Sequence, residues 1–263
     1  MSWASQRRFL YLTGVGLFFL VVIGGPIAYK ILTIPETCFD GIQNQTETAI
    51  DRGGPCAIRD ERYLQPHAVL WARAFRVRDG SYNAVTYIQN PNESVGVEAA
   101  QYRFGLYDSQ NVLIAERFGT TYIMPGGITP VLESRIDTGN RIVAHTYFEF
   151  TAPLVWKQMK NISSAITINN KTVDMATGVP RVSAISSNTS VAQINNVSFV
   201  AVVFDPSGNA IQTSATTIDV FPSDTSNKIV FTWPDLFTSD VGHVEILPSV
   251  APRIVSPLGA SGN

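Results

Sequence analysis

The chain has 263 residues, a formal net charge of −2, 15% charged residues and two cysteines. That balance leaves no basic field of the kind that neutralises phosphates, which excludes nucleic acid as a partner. The length accommodates one or two ordinary domains, and beyond an apolar N-terminal stretch the composition is rich in Thr, Ser, Asn and Val, as β structure requires.

Residues 1–8 carry Arg7 and Arg8, and Phe9 to Tyr29 then run without a charge. As a helix rising ~1.5 Å per residue that stretch covers roughly 31 Å, the thickness of a bilayer core. Residues 9–32 therefore read as a transmembrane signal anchor, with Pro26 ending or kinking the helix. Only Lys30 follows closely, so the positive-inside bias places residues 1–8 in the cytoplasm and the remainder outside. A cleaved signal peptide is the competing reading, and Pro26-Ile27-Ala28 is a poor cleavage site for it.

Residues 36–60 form a loop bracketed by Cys38 and Cys56. Outside the cytoplasm a disulfide can form and persist there, stapling a segment with almost no core of its own. The loop gathers oxygen donors at Asp40, Asn44, Glu47 and Asp51, the ligand type that calcium takes. The same residues also suit turns that hydrogen-bond their own backbone. The string resembles a short extracellular motif, Cys-x-Asp-Gly-x-x-Asn-x-x-Glu-x-x-x-Asp-Cys-Gly-Gly-x-Cys-x-x-Cys, over Cys38 to Arg59. Arg52 and Arg59 stand where that motif has its second and fourth cysteines, so the resemblance implies that Cys38 pairs with Cys56. Calcium held by Asp40, Asn44, Glu47 and Asp51 is the one cofactor it implies.

Residues 66–152 read as a first β-sandwich. Val69-Leu70-Trp71 and Ala74-Phe75-Arg76-Val77 are strands before the Asp79-Gly80 turn, and Tyr82 to Ile88 alternates into Asn90-Pro91-Asn92. Tyr102, Phe104 and Leu106 share one face at period two, which must be the core face, while Arg103, Gly105 and Tyr107 share the other. Asp108-Ser109-Gln110-Asn111 turns the chain, and further strands end at Pro125-Gly126-Gly127. Even spacing without helical periodicity argues an immunoglobulin-like sandwich. Phe104-Gly105-Leu106-Tyr107-Asp108 fits the Phe-x-Leu-Tyr-Asp pattern of the FxLYD domains, small surface domains of bacteria and archaea. Asn90-Pro91-Asn92 is similar to the turn of FxLYD-like and late-embryogenesis-abundant type-2 sandwiches. The resemblance implies structural roles, with Asp108 capping its turn.

After a connector at residues 153–165, the pattern returns at residues 166–254. Tyr102, Leu106, Tyr107 and Asp108 correspond to Phe199, Val203, Phe204 and Asp205, each 97 positions later. This predicts two tandem copies of one β domain. Ile166-Thr167-Ile168, Asn169-Asn170-Lys171 and Thr172-Val173 read as an opening hairpin. Asp205-Pro206-Ser207-Gly208 has the residues of a type I turn, and residues 255–263 read as a disordered tail.

His67, His145 and His243 lack metal-ligand spacing, and nucleophile-elbow, zinc and phosphate-loop patterns are absent. Gly126-Gly127 reads as a turn, and strings such as Asn161-Ile162-Ser163 matter only in a host that glycosylates them. The sequence thus predicts an all-β fold, two tandem immunoglobulin-like β-sandwiches after one transmembrane helix. The protein is expected to be a non-catalytic, single-pass binding or structural module of the bacterial envelope, which binds an envelope protein or polysaccharide or spaces something from the membrane. The alternative is an accessory subunit of an envelope or export complex, favoured if Trp71, Tyr87 and Trp156 form one exposed apolar patch.

Overall fold

The computed structural model describes residues 3–32, 38–44, 46–176 and 178–255. The chain divides into two units, Met1–Pro55 and Cys56–Asn263. In the first, helix α1 (Trp3–Phe19) passes through a π turn at Leu20–Gly24 into α2 (Gly25–Leu32). The π turn sits just before Pro26, whose ring cannot coexist with a regular i−4 carbonyl, so regular α-helical bonding is interrupted there and resumes in α2 without the helix ending. The helical span Gln6–Lys30 contains an 18-residue window of mean hydropathy 2.1, none of it covered by protein, so by length and composition it can cross a membrane.

The second unit is built of two sandwiches. In the first, β1 (Ala68–Arg78), β2 (Ser81–Asn90) and β5 (Gly127–Asp137) form one sheet in the order β1-β2-β5. Facing it, β3 (Val95–Tyr107) pairs with β4 (Leu113–Ile123) on one side and with β6 (His145–Phe150) and β7 (Trp156–Lys160) on the other. The second sandwich has sheets β12-β9-β8 and β11-β10-β13, from β8 (Ile166–Asp174), β9 (Arg181–Asn188), β10 (Ile194–Phe204), β11 (Ala210–Phe221), β12 (Thr225–Thr232) and β13 (His243–Ser249). Each sandwich joins its strands in the same order. Alternation decides the faces: Phe104 and Leu106 are fully buried between the sheets of the first sandwich, as are Phe199 and Val203 in the second.

Two local expectations are corrected. Asn169-Asn170-Lys171 makes no hairpin; β8 runs straight through it with a register shift between Asn169 and Thr172, because Asn170 alone takes a positive φ of 52° and bulges the strand. Likewise Val69–Trp71 and Ala74–Val77 belong to one strand, β1, bulged between Val69 and Trp71. The stretch read as a connector contains β7, which extends the β3 edge at Val95, Gly96 and Val97. A short return strand, β14 (Arg253–Ile254), pairs with β7 in turn. Residues 256–263 of the expected tail lie outside the described residues.

A third apolar layer lies between the sandwiches. Phe75, Val85 and Tyr87, on the outer face of the β1-β2-β5 sheet, meet Val200, Val202 and Phe204 on the outer face of β10. Strand β10 is therefore buried on both faces, and four sheets stack in succession. Polar bonds rim this layer: Arg73 Nη1 donates to the Ala210 carbonyl (2.9 Å), and Gln212 Nε2 to that of Arg76 (2.8 Å). Burial, with the Glu245 carboxylate nearby, pushes the Tyr87 phenol up from its ordinary range, so it stays neutral within the layer.

The outer face of the β3 sheet mixes charge with exposed aromatic rings, Phe118 lying across from Arg103 and Tyr147 across from Gly105. Arg103, at the position that Val200 takes in the second sandwich, pairs with Glu149 (2.7 Å) and Glu116 (3.3 Å). Ser183 and Ile185 of β9 stand where β2 has Val85 and Tyr87.

Candidate functional site

The turn after each central strand is built by an aspartate. Asp108 Oδ1 accepts from the backbone N–H groups of Gln110 (3.0 Å) and Val112 (2.9 Å), and Arg141 pairs with Oδ2. Asp205 Oδ1 accepts from Asn209 N–H (2.8 Å), while Gly208 N–H closes a four-residue turn on the Asp205 carbonyl (3.0 Å). These donors, foremost the N–H of Val112 for Asp108 and of Asn209 for Asp205, hold both carboxyls below their usual range. A depressed value contributes stability above the ordinary carboxylate range and loses it as pH falls through the folded value. The melting midpoint is accordingly expected to fall between about pH 5 and pH 2, and the double variant Asp108→Asn, Asp205→Asn to flatten that slope. An unchanged slope would assign the acid sensitivity to other groups.

A second pair of matching residues pins the turn between the second and third strand of each sandwich. Asn90 is fully buried; its Nδ2 donates to the carbonyls of Val95 (2.7 Å) and Met124 (2.9 Å), and its Oδ1 accepts from Asn92 N–H (3.0 Å). Asn188 does the same in the second sandwich, donating to Ala192, Phe221 and Pro222 carbonyls at 3.0, 3.1 and 2.9 Å. The next polar residue clamps the incoming chain. Asn92 bonds both backbone groups of Gln65 (3.0 and 2.8 Å), and Thr189 bonds the Ala165 carbonyl through N–H (2.9 Å) and hydroxyl (2.8 Å). The Asn-Pro-Asn string is thus a structural pin, and its proline is dispensable because the asparagine does the holding.

In the N-terminal loop Cys38 and Cys56 are joined in a disulfide. Asp40 Oδ1 accepts from Ile42 N–H (2.9 Å) and Oδ2 from Asn44 Nδ2 (2.9 Å). Asp51 accepts from the N–H groups of Asp40 (3.2 Å) and Gly41 (3.2 Å), and Glu47 Oε2 from those of Asn44 and Asp51, both at 3.3 Å. Among the described residues, Asp40, Glu47 and Asp51 do not bring ligand oxygens together as one cluster. Asp40, Glu47 and Asp51 thus accept hydrogen bonds from the loop's own groups, the turn role that these residue types also suit. Millimolar calcium is expected to leave the melting midpoint unchanged; a rise that a chelator reverses would contradict this.

The histidines are dispersed. His67 packs against Phe150 and Trp156, with ring centroids 5.6 and 5.4 Å away, and burial pushes its pKa down. His145 and His243 open the matching strands β6 and β13, opposite Tyr107 and Phe204, and His243 stacks on Phe204 at 4.6 Å. Tyr87 and Trp156 are buried, so with the half-buried Trp71 they make no exposed patch. Asn161 donates to the Pro125 (2.6 Å) and Gly126 (3.2 Å) carbonyls, which commits its amide to the fold.

No family model and no curated protein matches the chain. Among solved structures it is similar to part of red sea bream transglutaminase, at 10% identity, over 70% of this chain and 31% of that one, with a TM-score of 0.24. At that score the likeness carries no argument about activity.

Proposed function

We propose that the protein is a non-catalytic, single-pass module that displays its β-sandwiches on the outer side of a bacterial membrane, where they bind an envelope protein or polysaccharide. The observation that carries this is the order of an uncovered apolar helix and then a disulfide. A disulfide persists in an oxidising compartment, and two arginines before the helix favour a cytoplasmic N-terminus, so both point the β unit outward. The FxLYD likeness of Phe104, Leu106, Tyr107 and Asp108 agrees, since the aspartate and the aromatic both serve the fold. Tandem duplication of one domain accounts for the shared strand order and for the paired asparagines and aspartates. The dispersed histidines, two of them packed on aromatic rings, support a binding role over a catalytic one. The accessory-subunit reading lacks its exposed Trp71, Tyr87 and Trp156 patch. Alkaline phosphatase fused to the C-terminus is expected to be active in cells; an inactive fusion, with an active cytoplasmic reporter at the same point, would reject the outward orientation.

A further inference from the structure

The edge of the first sandwich is closed along only half its length. Along β7, the chain's own extended segments supply the missing strand: Gln158 N–H donates to the Ala57 carbonyl (2.7 Å), Arg59 N–H to that of Trp156 (2.8 Å), and Val255 N–H to that of Gln158 (3.1 Å). Along β6 nothing comparable lies. Among the described residues β6 hydrogen-bonds to β3 alone, and the neighbouring strand β1 to β2 alone. Thr151 N–H donates to the Gln101 carbonyl, so antiparallel alternation turns the backbone N–H and C=O groups of Thr146 and Phe148 away from β3. Thr146 lines a groove of about 600 Å³ between β6, β1 and the turn after β10.

The second sandwich blocks the equivalent edge. Lys171, in the bulge of β8, donates to the Val244 carbonyl on β13 (3.0 Å), a lysine guard of the kind that protects exposed strands. In the first sandwich Arg73, the arginine of β1 nearest the corresponding position, bonds to Ala210 across the sandwich junction and not to β6. Ala72, Ala74 and Ala144 let a backbone approach closely, Trp71 and Tyr147 offer apolar walls, and Arg73 lines the groove with its charge also reaching the Asp205 carboxylate of the neighbouring turn.

We propose that this groove takes an extended, acidic peptide strand of a partner protein, which adds to β6 by antiparallel or parallel pairing and sets a carboxylate against Arg73. The mode is β-augmentation, in which backbone bonds give affinity and alternate side chains give specificity. The chain already uses it on itself along β7. The proposal rests on the reading of the protein as a binding module.

The test is selection of random heptapeptides displayed on phage, against the full-length protein in lipid nanodiscs. The enriched peptides are expected to alternate aliphatic residues and to carry Asp or Glu. A synthetic copy should protect the Phe148 amide from hydrogen exchange and should bind Thr146→Pro and Arg73→Glu at least tenfold more weakly. Thr146→Pro removes an edge N–H without touching the β3 ladder; Arg73→Glu covers the case in which the proline variant fails to fold, which its melting curve shows. Absence of enrichment, or equal binding by a folded variant of either kind, overturns the proposal. So does concentration-dependent dimerisation abolished by Thr146→Pro, which would give the groove to a second copy. An active phosphatase fusion alongside a failed selection removes the groove and leaves the outward orientation standing.

Discussion

Val202→Asp is expected to lower the stability of the β unit by about 4 kcal/mol or more, measured by urea denaturation of the full chain. Val202 is fully buried in the apolar layer between the sandwiches that also holds Phe75, Val85 and Tyr87, where a carboxylate would be removed from water. The control is Arg103, whose corresponding strand face is solvent-exposed and already charged; Arg103→Gln is expected to cost under about 1 kcal/mol, as loss of surface ion pairs does. Similar losses at the two positions would mean that the sandwiches do not pack through β10.

Asn188→Ala is expected to cost about 3 kcal/mol, because it strands the buried Phe221 carbonyl and takes the side-chain donor from those of Ala192 and Pro222. Asn188→Asp tests the direction of those bonds. The carboxylate keeps the acceptor for Ser190 N–H but places an oxygen against the three carbonyls, so it should be at least as destabilising. Asn90→Ala should behave alike in the first sandwich, where two carbonyls depend on it. If Asp were tolerated better than Ala, the donor role would be refuted.

The strands were readable because burial on one face writes itself as alternation. Tyr102, Phe104 and Leu106 named the core face correctly, and the aspartate turns followed from short-range chemistry that needs no tertiary context. The layer between the sandwiches also left a trace: Phe199-Val200-Ala201-Val202-Val203-Phe204 is apolar on both faces, the mark of a strand covered on both sides. Its counterpart, with Arg103 and Gly105, is not. Reading the two strands as equivalent copies hid that difference. The role of Asn90 and Asn188 was less legible, since an asparagine before a turn normally bonds its own backbone, and only the fold brings Met124 or Phe221 within reach. The β6 edge was invisible, because a strand's free side depends on which neighbours arrive, and Ala57 to Arg59 and Val255 come from opposite ends of the chain. The oxygen donors of the cysteine loop were found in sequence, but whether carboxylates converge or each bonds a nearby N–H is set by loop geometry.

The outward display of the β unit is tested most directly by the oxidation state of Cys38 and Cys56 in growing cells. Cells are quenched in acid, denatured, and treated with a polymer-linked maleimide before and after reduction. The account predicts no added mass before reduction and two polymer additions after it; two additions in the unreduced sample would place the loop in a reducing compartment and contradict the orientation.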